Sequence, residues 1–338
     1  MIPFCLTQVV HGASFNWRQL SPRGWFIKQL RDLAGVVPPM FTPFSDDDQI
    51  DFAGLAAEAR YLKDAGVSGM VVGGSMGEGA GMTPEELGEA VRTVIEALDG
   101  TLPVLGGIIA DSSGEAVRLA RSLRNAGAQG LQVPPPHFHV SGETSVLAQY
   151  YRAITDAAEI PLLIYNVMPT AQAAVESLEQ LIADNPAIVG VKQSGRNIHA
   201  LAALMAEVGG KIKIFSAIDD MIYPSFVLGV DGTISGTSAI FPRETVEMLK
   251  AVRSGDYERG LRLHERLAPV WRTVDCPDFC SRAKYAATLA GRPVGKPRRP
   301  FRWPTGEAAS SIEEALRAGD LLNEGVPAPV GSDNGARA

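Results

Sequence analysis

The chain of 338 residues contains only three cysteines, Cys5, Cys276 and Cys280, which are too few for a disulfide framework. Cys276 and Cys280 have a C-x3-C spacing, but no second Cys/His pair with metal-ligand spacing accompanies them, so the sequence predicts no metal site. No uninterrupted apolar run reaches the about 18 residues that a membrane-spanning helix needs. The N-terminal stretch lacks the compact apolar segment and small-residue cleavage site of a signal peptide, so we expect a cytoplasmic protein.

An excess of basic residues is also missing. Lys and Arg number 31 against 38 Asp and Glu, which gives a formal net charge of -7. Without a basic patch, the sequence predicts no nucleic-acid partner. The 35 glycines and 23 prolines are scattered without a period, which excludes collagen-like and low-complexity architecture. The remaining composition, 46% hydrophobic and 20% charged, is typical of a globular protein with a sizeable core.

One unit repeats between Gly35 and about Gly236: a short apolar run, then a charged amphipathic stretch. Continuous apolar strands that alternate with helices predict a parallel sheet covered on its outer face. Eight such units favour a (β/α)8 TIM barrel, of the α/β class, over an open doubly wound sheet. The first run ends in Thr42-Pro43-Phe44 without a G-x-G-x-x-G turn, which argues against dinucleotide binding. The predicted strands are Val36–Phe41, Gly69–Val72, Pro103–Ile109, Gly130–Val133, Pro161–Tyr165, Ile188–Lys192, Ile212–Ser216 and Gly232–Ser235.

More helices follow the eighth predicted strand than a barrel requires. They cover Pro242–Ser254, Tyr257–Val274 and Phe279–Leu289. We therefore predict an N-terminal extension over 1–34, a barrel with the active site over 35–241, a small C-terminal helical domain over 242–303 and a partly disordered tail over 304–338. A short helix is predicted within this tail, over Ser311–Asn323.

Two side chains at neighbouring strand ends point to carbonyl chemistry, because the active site of such a barrel lies at the carboxyl ends of its strands. Lys192 ends the sixth apolar run, and burial there would lower the pKa of its amine. A lysine that is neutral near pH 7 attacks a carbonyl carbon and forms a Schiff base; a structural ion-pair lysine is the alternative. Tyr165 ends the fifth run, where a phenol can move protons; a half-buried core tyrosine is the alternative.

A glycine-rich loop follows the second predicted strand and reads Gly74-Ser75-Met76-Gly77-Glu78. Its backbone N–H groups and one hydroxyl could hold a carboxylate. A glycine-rich turn alone is weak support, since most such turns merely redirect the chain.

Four segments in this order resemble the motifs of the dihydrodipicolinate synthase / N-acetylneuraminate lyase family of pyruvate-dependent class I aldolases. The likeness extends from about Gly35 to Trp303. The loop Gly74–Glu78 resembles G-x-[ST]-G-E, and Tyr165–Pro169 resembles Tyr-Asn-x-Pro with one extra residue. Gly190–Lys192 resembles the G-[IV]-K context of the Schiff-base lysine, and Gly232–Gly236 resembles G-x-I-S-G.

The resemblance implies a barrel with a C-terminal helical domain, assembled as a homotetramer or homodimer. It also implies catalysis by Lys192, Tyr165 and Ser75 with no metal and no cofactor other than the Schiff base of Lys192 with substrate. The partners would be a small 2-oxo acid and, for an aldol reaction, an aldehyde. The implied substrate-binding residues are Ser75, Met76, Gly77, Thr42, His137, Thr170, Ser216, Ile234 and Ser235.

Departures from the family pattern bear on the substrate. Dihydrodipicolinate synthase proper binds the carboxylate of aspartate semialdehyde with an arginine where Thr170 stands here, and threonine cannot supply that clamp. Met76 replaces a hydroxyl residue, and His137 takes the place of a tyrosine in a proton relay. Pro134–Pro136 and Phe138 suggest an apolar mouth.

We therefore expect a Schiff-base lyase that makes or breaks a C–C bond in pyruvate or a related 2-oxo acid. Three alternatives stay open. They are a dehydratase or deaminase of a 2-oxo sugar acid, a 4-hydroxy-tetrahydrodipicolinate synthase, which the missing arginine disfavours, and a catalytically silent paralogue that binds a 2-oxo acid.

Overall fold

The computed structural model describes residues 30–138, 143–167 and 171–329. Its parallel sheet has the strand order β1-β8-β7-β6-β5-β4-β3-β2. The two ends of this order meet: Val71 donates its N–H to Pro38 O, and Met40 donates to Val71 O, each at 3.0 Å. The predicted (β/α)8 barrel is confirmed. The strands are β1 Gly35–Val36, β2 Met70–Val72, β3 Val104–Gly107, β4 Gly130–Val133, β5 Leu162–Asn166, β6 Ile188–Gln193, β7 Lys213–Ser216 and β8 Gly232–Thr233.

The outer helices begin at locally encoded caps. Asp51 accepts the N–H of Gly54 at the start of the first helix, and Thr83 forms a capping box with Glu86 at the second, so orphan N–H groups are satisfied. The barrel helices are α1 Phe52–Asp64, α2 Pro84–Ala97, α3 Ser113–Asn125, α4 Thr144–Ala158, α5 Val175–Asp184, α6 Ile198–Val208 and α7 Ile222–Leu228. Five more follow β8: α8 Gly236–Ile240, α9 Pro242–Arg253, α10 Tyr257–Val274, α11 Phe279–Leu289 and α12 Glu307–Ala318.

Residues that precede the first strand fill part of the barrel interior. Leu30 and Leu33 are buried in one cluster with strand residues such as Leu163 and Phe215. Gly130 leaves room for this contact, because a Cβ there would lie 2.5 Å from Leu30 Cδ2. The described end of the predicted N-terminal extension therefore belongs to the barrel core, and residues 1–29 lie outside the described part of the chain.

The C-terminal helices cover one side of the barrel mouth. Helix α12 packs on α10 and α11, with Ile312 and Leu316 buried. It begins and ends earlier than the predicted Ser311–Asn323, since Gly319 and the left-handed Asp320 follow it. The helical layer thus continues past Trp303, and residues 330–338 of the predicted tail lie outside the described part. No helix among the described residues is long and apolar enough to cross a membrane.

Replacing Leu30 by alanine should lower the free energy of unfolding by about 2–5 kcal/mol, because close-packed neighbours cannot collapse into the cavity. Leu30 is fully buried, whereas Leu261 on α10 is 40% exposed. Leu261→Ala is the matched control and should change the free energy by less than about 0.5 kcal/mol. Urea unfolding at one fixed protein concentration measures both, and equal losses would contradict the role of Leu30 in the core.

Candidate active site

Lys192 and Tyr165 lie side by side at the carboxyl ends of β6 and β5. The two residues are direct partners in the sheet register. Lys192 Nζ lies 3.6 Å from the centroid of the Tyr165 ring, and both side chains are buried. The amine and the phenol are therefore held together by the backbone ladder, with little freedom for either to move away.

Burial lowers the pKa of Lys192 from 10.5 to about 7, and the nearby Asp219 carboxylate opposes this fall. Burial also raises the pKa of Asp219 to about 7, against the N–H of Thr237, which donates to Asp219 Oδ1 at 2.6 Å. Both groups change charge near neutral pH. A substantial fraction of Lys192 is thus the neutral amine that attacks carbonyl carbon.

Tyr165 keeps its proton at neutral pH. Burial raises the pKa of the phenol, and a hydrogen bond with Ser75 opposes the rise. A protonated phenol beside the amine can donate to a departing hydroxyl and accept the proton back.

Ser75 begins a 3-10 turn, Ser75–Gly77, directly after β2. Gly77 donates its N–H to Gly74 O at 3.0 Å, so this N–H is already used. The first N–H groups of a helical turn have no acceptor within it. This leaves the N–H groups of Ser75 and Met76 to bind a carboxylate. Glycine at position 77 allows the loop to approach Met40, because a Cβ there would lie 2.9 Å from Met40 O.

A cavity of about 160 Å³ surrounds the amine. The predicted site residues in its wall are Ser75, Met76, Tyr165, Lys192, Ile234 and Ser235. The wall also contains residues that sequence reasoning missed: Asp219, Ser194, Trp271, Asp275 and Phe279. Asp219 follows β7, so its strand-end position was a readable signal. Trp271 and Phe279 belong to the C-terminal helices and Asp275 directly follows α10, and none of the three carries a motif.

The other predicted binding residues lie elsewhere. Thr42 is buried behind Gly77, and its carbonyl accepts from Lys284 Nζ at 2.6 Å. Ser216 donates to Ser225 Oγ of α7 at 2.8 Å and accepts from the N–H of Ile218, so its hydroxyl serves the outer layer. Neither lines the cavity around Lys192. Thr170 lies outside the described residues.

His137 lines a second, larger cavity of about 400 Å³. Its Nδ1 lies 3.2 Å from Asp111 Oδ1, and the backbone N–H of His137 donates to the same oxygen at 2.6 Å. The second cavity adjoins the first, since both have Ser75, Tyr165, Val167 and Phe279 in their walls.

A buried ion pair holds the Ser75 loop in place. Lys284 of α11 lies with its Nζ 2.6 Å from Glu78 Oε1 and also donates to Lys296 O at 2.8 Å. Cys280, one turn earlier on α11, directs its Sγ to Ser75 O at 3.1 Å. Burial raises the pKa of the Cys280 thiol to about 12. The C-terminal helix therefore anchors the predicted carboxylate loop at two points.

No cluster of three or more His, Cys, Asp or Glu side chains suited to a metal ion occurs among residues 30–138, 143–167 and 171–329. Cys276 directs its Sγ to Asp278 Oδ1 at 2.8 Å, while Cys280 faces the Ser75 loop. The two thiols of the C-x3-C pair thus have separate partners.

A buried strand-end lysine beside a phenol, within a parallel barrel, is the arrangement that Schiff-base chemistry requires. The chain matches the dihydrodipicolinate synthetase family over residues 32–319. It belongs to that family, and it is a lyase.

The match to individual relatives extends over almost the whole length of each relative. The 4-hydroxy-tetrahydrodipicolinate synthase of Methanoculleus marisnigri is 32% identical over 295 residues, 86% of this chain and 99% of that protein. That of Methanosphaerula palustris is 31% identical over 290 residues, 85% of this chain and 99% of its own. The crystal structure of YagE, a prophage protein of the dihydrodipicolinic acid synthase family from E. coli K12 in complex with pyruvate, is 27% identical. It has a TM-score of 0.81 and covers 86% of this chain and 99% of that one.

Schiff-base formation with pyruvate should rise with pH through about 7, because only the neutral amine of Lys192 attacks. Asp219→Asn removes the carboxylate that raises the pKa of Lys192, so the rise should move to lower pH. The rate of borohydride trapping across pH measures this, with Asp220→Asn as the control, since Asp220 lies outside the wall of the Lys192 cavity. A rise that stays in place or moves upward in Asp219→Asn would refute the coupling.

Tyr165→Phe should lower turnover by about 100-fold or more, the usual scale for general acid–base catalysis. The fold should persist, because the ring still fills its buried place between the strands. Steady-state kinetics alongside circular dichroism separate the two effects. Unchanged turnover would mean that Tyr165 only packs.

Proposed function

We propose that the protein forms a Schiff base between Lys192 and pyruvate, or a related 2-oxo acid, and makes or breaks a C–C bond. One observation carries this proposal. The amine of Lys192 is buried, has a pKa of about 7 and lies 3.6 Å from the Tyr165 ring in a cavity of small-molecule size.

The proposed reaction uses only groups of the chain. The carboxylate of the 2-oxo acid binds the N–H groups of Ser75 and Met76, which directs the keto carbon to Lys192 Nζ. The neutral amine adds to this carbon, Tyr165 protonates the departing hydroxyl, and water leaves to give the iminium. The Tyr165 phenolate then takes a proton from C3, which gives an enamine and restores the phenol. The iminium is the electron sink, so the proposed reaction needs no metal or organic cofactor.

The relatives named 4-hydroxy-tetrahydrodipicolinate synthase favour that reaction as a second candidate. The sequence from Met168 to Gln172 contains no arginine to hold the second carboxylate. Two arginines of the C-terminal part are engaged elsewhere. Arg243 lies over the Tyr61 ring, 5.2 Å from its centroid, and Arg282 is bound to Asp278 and Thr273 O. We therefore place C–C bond chemistry with an uncharged acceptor first.

Dehydration or deamination of a 2-oxo sugar acid would pass through the same iminium on Lys192. Its products differ from those of an aldol reaction, so product analysis by mass spectrometry distinguishes the two. A silent paralogue that only binds a 2-oxo acid would have little need for both Lys192 and Tyr165. Assembly as a homotetramer or homodimer follows from the family resemblance and stays a prediction, which light scattering of the purified protein tests. The cytoplasmic location expected from the N-terminal stretch stays a prediction as well.

Incubation with pyruvate and borohydride should add one reduced pyruvyl group, on Lys192. Lys192→Ala should abolish it, and so should Lys192→Arg, because a guanidinium stays protonated and is no nucleophile. Lys213→Arg is the matched control, since Lys213 pairs with Asp231, 2.8 Å away, and should leave trapping intact. Peptide mass spectrometry locates the adduct, and trapping that survives Lys192→Ala would refute the assignment. Activity should also survive exhaustive chelation.

A further inference from the structure

The cavity of about 400 Å³ beside the Lys192 cavity has no assigned role in the steps above. Its position suits a second reactant, because Ser75 and Tyr165 stand in both walls. Apolar side chains form most of its surface, namely Ile109, Pro134, Val167, Phe279, Pro300 and Phe301. A cavity of about 150 Å³ lined by apolar groups is enough to bind benzene, so an aromatic ring fits here.

The charges in this wall are already neutralised. Each charged side chain has a partner of opposite sign: Glu78 with Lys284, Asp278 with Arg282, Arg298 with Glu86, and Arg299 with Asp48. Among the wall residues that the structure describes, a carboxylate therefore meets no unpaired ammonium or guanidinium. A ligand carboxylate could pair with one of these arginines only if the arginine left its present acidic partner. That acid would then lose its charge-assisted hydrogen bonds, which is costly.

Phe301 is held in place before any ligand arrives. The backbone N–H of Phe301 donates to Arg298 O at 3.0 Å. Arg298 forms two hydrogen bonds with Glu86, at 2.6 and 3.0 Å, and the backbone N–H of Arg298 donates to Glu78 Oε2 at 2.9 Å. Arg299 pairs with Asp48. Phe301 nevertheless remains 45% exposed, so an apolar group in the cavity would cover a surface that the fold leaves open. A preformed wall binds with less loss of side-chain entropy.

We propose that this cavity is the acceptor subsite of the enzyme and that it selects aldehydes with an uncharged apolar group, up to the size of an aromatic ring, over carboxylated aldehydes. This inference rests on the proposed function. The enamine C3 on Lys192 forms the new C–C bond with the aldehyde carbon. The aldehyde oxygen takes its proton from the Tyr165 hydroxyl, and water then releases a 4-hydroxy-2-oxo acid and restores the amine.

The test compares kcat/KM for benzaldehyde, acetaldehyde and aspartate semialdehyde, all with saturating pyruvate and the full chain. Benzaldehyde should exceed aspartate semialdehyde by about tenfold or more, the scale that separates substrates in an apolar pocket. Phe301→Ala should lower the ratio of benzaldehyde to acetaldehyde by about tenfold. Phe52→Ala, at a phenylalanine that is 37% exposed on α1, is the matched control and should leave the ratio unchanged.

A second variant tests the charge argument in the opposite direction. Glu86→Gln frees the Arg298 guanidinium while glutamine keeps the capping box of α2. It should raise kcat/KM for aspartate semialdehyde by about tenfold or more, as expected for a new guanidinium–carboxylate pair. The benzaldehyde value should change much less.

Borohydride trapping of pyruvate on the same samples separates the two levels of the proposal. If pyruvate is trapped but Phe301→Ala lowers kcat/KM equally for benzaldehyde and acetaldehyde, that result would overturn the subsite alone. A preference for aspartate semialdehyde above tenfold in the unmodified enzyme would do the same. Absence of trapping would overturn both the proposed function and the subsite.

Discussion

Removing the Lys192 amine from water is the constraint on which the site depends. Its pKa falls from 10.5 to about 7, which corresponds to about 5 kcal/mol against the charged form at roughly 1.4 kcal/mol per unit. The rest of the fold must supply this energy, because a free side chain would turn toward solvent. The ladder from β5 to β7 fixes the backbone of Lys192, and the neighbouring strand ends leave its amine only a small cavity.

A second buried charge keeps the opposite side of the cavity in place. The Glu78–Lys284 pair joins the loop after β2 to helix α11, and Lys284 also binds the carbonyls of Thr42 and Lys296. Such a pair is expensive to bury and more expensive to break. The position of this ion pair indicates that its main role is to maintain the geometry of the Ser75 turn. Its net contribution to the free energy of unfolding is secondary.

The sequence predicts the barrel and the neighbouring positions of Lys192 and Tyr165 because both depend on local patterns. Alternating apolar runs predict the strands, and strand-end positions place Lys192 beside Tyr165. The same logic could have found Asp219, which also follows a strand. It could not find Trp271, Asp275 or Phe279, because helices far along the chain bring them to the mouth through tertiary packing. It also could not tell that Ser216 faces α7, since a short strand end does not indicate which way a side chain turns.

The two halves of the mouth come from different parts of the chain. Strand ends before residue 240 provide Lys192, Tyr165 and the Ser75 loop. The segment after α10 adds Phe279, Pro300 and Phe301 to an apolar wall that Ile109, Pro134 and Val167 begin. Substitutions in that late segment could alter what enters the cavity of about 400 Å³ without moving Lys192. Such a division lets descendants of one ancestor acquire new partners for an unchanged chemical step, through exchanges confined to a few dozen C-terminal residues.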